Sequence, residues 1–427
     1  MMKVRRPLLT ALALLTGCPS TPEPSPPPSP DPTVSPDPTP VTTTQPAKPD
    51  ATAPIPDATK MGLALYARAK KPGENLALSP VSLQMALAMT YGGAAGETAA
   101  EMEEALGFNA SIHGAMSTAM ARYAGSDEAP FELAVANRIF TDDALTLKPT
   151  FLSLTRERYG AAAEGLDFRG EAEAARSTIN DWVKSQTRDK IPELLPKGSI
   201  SDDTRLVLTN AVYFKGQWSV PFEEEKTKPG SFAAANGEKK VPMMHKEARF
   251  KYAEADGAQL LEMGYRGGAW SMVLALPTAK DGLEALEGGL TEKSLDGWRE
   301  AMDATAVQVS LPKFELKPSS PLALGSALRD MGVKLAFDPV SADFSGMAVP
   351  SAQGRISISE VFHRAYVKVN EKGTEAAAAT GTVMKTTSLP MPAPNPKIFT
   401  ADHPFLFFLV DTETGSPMFM GRVVNPS

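Results

Sequence analysis

Apolar and polar positions along the chain predict helices first and strands afterwards. Asp57-Ala58-Thr59 can cap an apolar-periodic run that predicts a helix reaching Lys71. Ser79 suits a cap and Pro80 a first helical turn, so a second helix runs to Tyr91 and stops at Gly92-Gly93. A third helix follows Gly96. Phe131 to Phe140 reads as a strand, Pro149 to Tyr159 as a helix and Glu171 to Lys190 as a long amphipathic helix. Arg205 to Phe214 is a near-continuous apolar run, the pattern of a strand buried on both faces. Met272 to Leu276, Val307 to Leu316 and Ile356 to Val369 read as further strands. Pro404 to Val410 and Met418 to Val423 form a hairpin around Thr414-Gly415. The order gives an α+β chain, not a βαβ alternation.

The pattern fails before Asp57. Residues 19–56 carry 15 of the chain's 38 prolines among Ser, Thr and Asp, and have no apolar periodicity. Such a segment buries no core and is expected as a disordered, extended spacer. At ~3.1 Å per residue it reaches roughly 110 Å. Residues 1–18 have the layout of an export signal: Lys3, Arg5 and Arg6, then a short apolar run from Leu8 to Thr16, too short to span a bilayer as a helix. Leu15-Thr16-Gly17-Cys18 resembles the bacterial lipobox, in which the cysteine carries the lipid. That resemblance implies residues 1–18 as a lipoprotein signal peptide and Cys18 as the lipidation site. It implies an exported domain anchored to a membrane, with the outer membrane or cell surface favoured. An ordinary cleaved signal with an incidental Cys18 is the plainer alternative.

Charge and chemistry narrow the function. The chain has 427 residues, a net charge of −7 and one cysteine, so it has no intrachain disulfide or thiolate metal cluster. The densest basic group, Lys239, Lys240, His245, Lys246, Arg249 and Lys251, is short and reads as a solvated strand edge or loop. Nothing suggests nucleic acid, a cofactor or a metal. No G-x-S-x-G, H-E-x-x-H, P-loop or G-x-G-x-x-G is present. The four histidines, His113, His245, His363 and His403, are far apart in sequence.

Several blocks resemble one family in register. They are NLALSPVSLQMALAMTYGGAAGETAAEM from Asn75, LAVANRIF from Leu133, INDWVKSQTRDKIPELL from Ile179 and LVLTNAVYFKGQWSVPF from Leu206. VPMM from Val241, LPKFELK from Leu311, DFSGMA from Asp343 and HRAYVKVNEKGTEAAAAT from His363 follow, then ADHPFLFFLVD and MFMGRVVNP. On these the chain is identified as a bacterial lipoprotein member of the serpins, with one serpin domain over 57–427 behind the signal peptide and linker. The resemblance implies a serpin fold: a mainly helical first part, a large central mixed sheet, further sheets and an exposed reactive-centre loop at about 371–397. It implies a suicide-substrate inhibitor of serine-type endopeptidases, not an enzyme and with no catalytic residue. The partner is a target protease of the serine or cysteine class, held in a covalent 1:1 complex by a monomer. The cleaved loop adds to the sheet as a strand and carries the acyl-linked protease away.

The residues suit that insertion. Thr374 to Thr387 reads TEAAAATGTVMKTT, without proline, so no ladder donor is missing. Thr374, Ala376, Ala378 and Thr380 share one parity and are small enough to pass between strands. The resemblance makes Glu371, Lys372, Gly373, Thr374, Glu375, Ala376, Ala377, Ala378, Ala379 and Thr380 the hinge. The alternating Pro390, Pro392, Pro394 and Pro396 stay in polyproline II, so the inserting strand ends before Pro390. Counting from the hinge at the family's spacing places the scissile bond at Thr387-Ser388. Counting back from Phe405 places it several residues later. Insertion is measured from the hinge, which favours the first count. Thr387 suits an elastase-like or subtilisin-like pocket, Lys385 a trypsin-like one and Met384 or Leu389 a chymotrypsin-like one, although Pro390 after Leu389 disfavours the last.

The resemblance also implies a polar gate beneath the sheet at Ser79, Ser82, Asn210 and His363, and a loop-entry site at Trp218. Satisfied core residues are the plainer reading of each. Two departures bear on efficiency: Lys368 stands where many members carry an acid, and Gly381 lowers the strand propensity of the inserting segment. The competing functions are a non-inhibitory surface lipoprotein of the same fold, binding or chaperone-like, and a hydrolase whose site only tertiary contacts would assemble.

Overall fold

A computed structural model describes residues 57–123, 130–318, 320–349, 355–374 and 395–426. Elements are numbered along the chain. The strands form two sheets, of seven and nine strands among the described residues.

The seven-stranded sheet has its long strands at its centre. β4 (Leu206–Gln217) lies between β2 (Phe131–Asp142), which runs antiparallel to it, and β12 (Glu360–Asn370), which runs parallel. β3 (Glu164–Leu166) extends one side, while β10 (Phe314–Leu316) and β11 (Leu322–Ala323) pair with β12. A two-residue strand, β13 (Gly373–Thr374), lies between β12 and β4 and is antiparallel to both. The nine-stranded sheet runs β1 (Leu76–Leu78), β16 (Pro417–Val423), β15 (Phe405–Asp411), β8 (Trp270–Pro277), β7 (Ala258–Gly264), β6 (Gly237–Ala255), β9 (Asp303–Pro312) and β14 (Lys397–Thr400), with β5 (Lys228–Ala234) against β6. Residues 375–394 thus join the seven-stranded sheet to the edge of the other.

Side-chain parity on β4 explains how the layers meet. Leu206, Leu208, Val212 and Phe214 enter the main core, whereas Val207, Ala211 and Tyr213 enter a second one. The second core is closed by Ile179 and Val183 of α6 (Ala172–Gln186) and by Leu194 and Leu195. The main core holds α2 (Pro80–Tyr91), which packs on β16 and on β2 and β4. Eleven of its twelve residues, Pro80 to Thr90, are buried, so it carries no polar face. The other helices are α1 (Thr59–Ala69), α3 (Gly96–Leu106), α4 (Ile112–Tyr123), α5 (Pro149–Tyr159), α7 (Leu283–Gly288), α8 (Ser294–Ala301) and α9 (Gly325–Asp330).

The strand and helix expectations hold in outline and fail in three places. The helix expected to Lys190 ends at Gln186, because Arg188 and Asp189 adopt positive φ (49° and 62°) and the Asp189 amide donates back to the Lys184 carbonyl. The run expected from Val307 to Leu316 is two strands in different sheets: it leaves one at Pro312 and enters the other at Phe314. The strand expected from Ile356 begins at Glu360; Ile356 and Ile358 are buried outside the ladder. The basic cluster from Lys239 to Lys251 lies on β6 as expected for a strand edge: Lys239 and Lys240 pair only with β5, His245, Lys246 and Arg249 only with β9, and Lys251 alone has partners on both sides.

Candidate functional site

The chain reverses after β12 within four residues. The Asn370 side chain accepts from the amides of Lys372 (2.9 Å) and Gly373 (3.2 Å), closing a turn on itself. Gly373 then has φ +150°, and a Cβ there would lie 1.9 Å from the Gly216 carbonyl oxygen. Only glycine fits this approach to β4. Thr374 follows, buried, with its hydroxyl 2.5 Å from the Tyr265 hydroxyl. The chain has therefore entered the sheet by two residues at this point.

Trp218 sits at that entrance. Its ring stacks on Tyr265 at 4.4 Å, its indole N–H donates to the Asn370 carbonyl (3.0 Å) and its amide to the Lys372 carbonyl (2.9 Å). Glu371 is tucked under the turn. Lys313 approaches its carboxylate at 3.0 Å and the Thr227 hydroxyl donates to it at 2.8 Å. Burial would raise the Glu371 pKa, but its own amide, Lys313 and Thr227 outweigh that and hold it below the usual range. Lys372 faces outward and pairs with Glu224 at 3.2 Å. Lys368 pairs with Glu315 at 2.9 Å, so the departure at that position is locally neutralised.

Below the entrance β12 and β4 close directly on each other. Their parallel register joins Glu360 through Tyr366 to Val207 through Tyr213, with His363 opposite Asn210 at its middle. Asn210 is in turn opposite Asn137 on β2. Each shares the parity of its strand's main-core residues, such as Val361 on β12, Leu208 on β4 and Ile139 on β2, and all three meet the N-terminus of α2. There Ser79 caps the helix and accepts from the Ser82 amide (3.3 Å).

The four gate residues are brought together, and the hydrogen bonds fix the histidine tautomer. The Ser79 amide donates to His363 Nε2 at 3.1 Å, so that nitrogen carries no proton. Nδ1–H then donates to the Asn210 side-chain oxygen. Asn210 donates to the Ser82 carbonyl (2.8 Å) and hydroxyl (2.7 Å), and the Asn137 amide donates to the same carbonyl at 3.1 Å. Complete burial lowers the His363 pKa to about 3, against the opposing Asn210 contact. The imidazole is neutral near pH 7 and links the two strands as a polar clasp rather than as an acid or base.

Asn137, Tyr265, Lys313 and Thr227 belong to this assembly, and sequence reasoning did not find them. LAVANRIF contains Asn137, but only the pairing of β2 with β4 places it beside Asn210. Residues 375–380 of the expected hinge and the bonds considered at Met384, Lys385, Thr387, Ser388 and Leu389 lie outside the described residues, as does Cys18. Among the described residues no cluster of His, Cys, Asp or Glu is arranged to hold a metal, and no helix is long and apolar enough to cross a membrane.

Comparison with known proteins agrees with this architecture. The family model "Serpin (serine protease inhibitor)" matches residues 57–426. A leukocyte elastase inhibitor of Homo sapiens is 39% identical over 366 residues, spanning 83% of this chain and 94% of the relative. An uncharacterized serpin-like protein of Thermococcus kodakarensis is 40% identical over 374 residues, spanning 85% and 83%. The crystal structure of a thermophilic serpin, tengpin, in its native state superposes with a TM-score of 0.79 at 29% identity, covering 89% of this chain and 97% of that one. With its hinge seated between two parallel strands and the family's blocks running from end to end, the chain belongs to the serpin family.

Proposed function

We propose that this serpin inhibits a serine-type endopeptidase as a suicide substrate, its hinge-side loop zipping into the β4–β12 seam after cleavage. The observation that carries this reading is the half-entered hinge. Gly373 and Thr374 already pair with both strands, while the seven residue pairs below them remain closed. Insertion continues a ladder that has begun. Each further residue exchanges a β12–β4 contact for two new antiparallel partners, and antiparallel pairs are somewhat the more stable. About 14 inserted residues at ~3.3 Å would carry the cut end roughly 45 Å, and a ~1 Å displacement of catalytic groups already costs about 10²-fold in rate. The bond favoured for cleavage is Thr387-Ser388.

The domain is proposed to act outside the cytoplasm, tethered by lipid at Cys18 through the proline-rich spacer. Incubation with elastase-like, trypsin-like, chymotrypsin-like and subtilisin-like proteases tests the mechanism. A complex that survives a denaturing gel is expected, with the cut located by mass spectrometry between 384 and 389. Clean cleavage by every protease, with no covalent complex, would favour the non-inhibitory reading.

A further inference from the structure

The outward faces of β9 and β14 carry no charge. On β9 the alternate residues Val307, Val309 and Leu311 are fully buried, so Ala304, Ala306, Gln308 and Ser310 point the other way. The parallel register of β14 sets Ile398 beside Gln308 and Thr400 beside Ser310, with Phe399 fully buried between them. Ala304, Gln308 and Ile398 are exposed, and Ala306, Ser310 and Thr400 half-buried. The solvated face of a sheet is ordinarily polar, and edge strands are commonly blunted with charge. β14 is an edge strand of the nine-stranded sheet, yet its outward residues are Ile398 and Thr400. Ile398 is 61% exposed, and of the exposed large apolar side chains among the described residues it alone lies in a sheet.

Charge begins one strand further in. β6 sets His245, Glu247, Arg249 and Lys251 opposite Ser310, Gln308, Ala306 and Ala304. An uncharged stripe with a charged rim has the make-up of a contact surface. Its size limits what it can hold. Along β9 it runs about 20 Å and across two strands about 10 Å, so it covers roughly 200 Å². That is a quarter of the ~800 Å² per partner in a stable interface. The stripe is too small to recruit a partner alone, a second copy included, but it can add to the grip on a partner already held. Its place in the chain names that partner. Ser388 lies ten residues before Ile398, at most about 35 Å of extended chain. A protease of ~250 residues is roughly 45 Å across, so one gripping Thr387-Ser388 reaches the stripe with its body.

We propose that this stripe is a secondary docking surface for the target protease, touched by its body while its active site holds the bait. The proposal rests on the reading of residues 375–394 as bait, but not on trapping or insertion. The protease surface that fits is apolar opposite Ile398 and hydrogen-bonding opposite Gln308. The contact acts on capture, before any bond is cut. It therefore discriminates among proteases whose specificity pockets accept the same bait residue.

The test takes a protease that cuts between 384 and 389 and replaces its nucleophilic serine by alanine, so that it binds without cutting. Titrated with the full chain, Ile398→Glu should weaken binding by about tenfold and Gln308→Glu severalfold. Val340→Glu, at an exposed position outside both sheets, should change nothing. All three positions are exposed, so the variants should melt with the parent. The free peptide 375–400 should bind equally with and without Ile398→Glu, because it lacks the rest of the stripe. Affinity unmoved by both stripe substitutions, or a peptide that loses as much as the full chain, would overturn the surface. A dimer of the intact chain that Ile398→Glu abolishes would assign the stripe to a second copy and overturn it too. Cutting by the active protease without a covalent complex would defeat the suicide-substrate reading alone, since the binding measurement needs no trapping. No cut by any protease would remove the occupant and overturn the surface with it.

Discussion

The β4–β12 seam and the β15–β16 hairpin are both long, buried strand pairs, yet they are built from different materials. Phe405 through Val410 of β15 and Pro417 through Val423 of β16 are buried without interruption, with Arg422 the one charged residue among them, and the pairing is antiparallel. The seam is parallel, carries Asn210 opposite His363 at its centre, and ends in a glycine turn that already admits a third strand. Parallel pairing is the slightly weaker kind. Buried polar groups return only the ~1 kcal/mol net of a hydrogen bond, against ~1.5–3 kcal/mol for a buried large apolar side chain. On the proposed mechanism one pair holds and the other parts, with the polar clasp at the middle of the seam.

The largest effect should separate the two by stability. Phe407→Ala in the hairpin core should cost about 3–5 kcal/mol in the intact and the loop-cleaved chain alike, measured by denaturant unfolding. Equal loss in both forms marks the hairpin as common scaffold; loss in one form only would merge it with the moving part. Thr374→Arg comes next. Thr374 is already buried beside Tyr265 in the intact chain, so a charge there would keep the hinge out of the sheet. Inhibition should fall by about 100-fold or more, near 3 kcal/mol, while the protease turns the variant over as substrate. Undiminished inhibition would count against entry of the loop at this point.

Asn210→Ala should lower the stability of the intact form by about 1–3 kcal/mol, because the His363 N–H loses its acceptor and the Ser82 carbonyl loses a donor. The seam amides from Glu360 to Tyr366 should exchange faster, and those of β15 should not. The effect that is smallest near neutral pH is the pH dependence itself. Burial disfavours the charge on His363 and lowers its pKa from the ordinary 6.5 to about 3 when folded. The unfolded chain therefore takes up a proton that the native one refuses. The His363 contribution is complete above about 6.5 and declines as pH falls toward 3, by at most about 1.4 kcal/mol per pH unit. His363→Gln should flatten that slope; an unchanged slope would assign it to other groups.

Much of this contrast was legible in the sequence. The apolar run from Arg205 to Phe214 announced a strand buried on both faces, and Ser79-Pro80 announced the helix start that meets it. The resemblance placed Gly373 in the hinge, where the chain turns. The neighbours were not legible. Asn137, Tyr265 and Lys313 come from β2, from just after β7 and from between β9 and β10, and no local pattern tells which strands lie side by side. The strands from Lys228 to Gly264 were also missed: lysines and glutamates on the outward face of β6 mask its alternation. Periodicity reports which face of an element is buried, but not what it is buried against.

Thermal unfolding before and after a single cut within residues 375–394 bears most directly on the proposed insertion of the cleaved loop into the β4–β12 seam. The account predicts that the cut chain melts far above the intact one, with the β12–β4 amides acquiring new protection from an intervening strand. Identical melting curves for the intact and cut chains, with an unchanged exchange pattern across the seam, would contradict it.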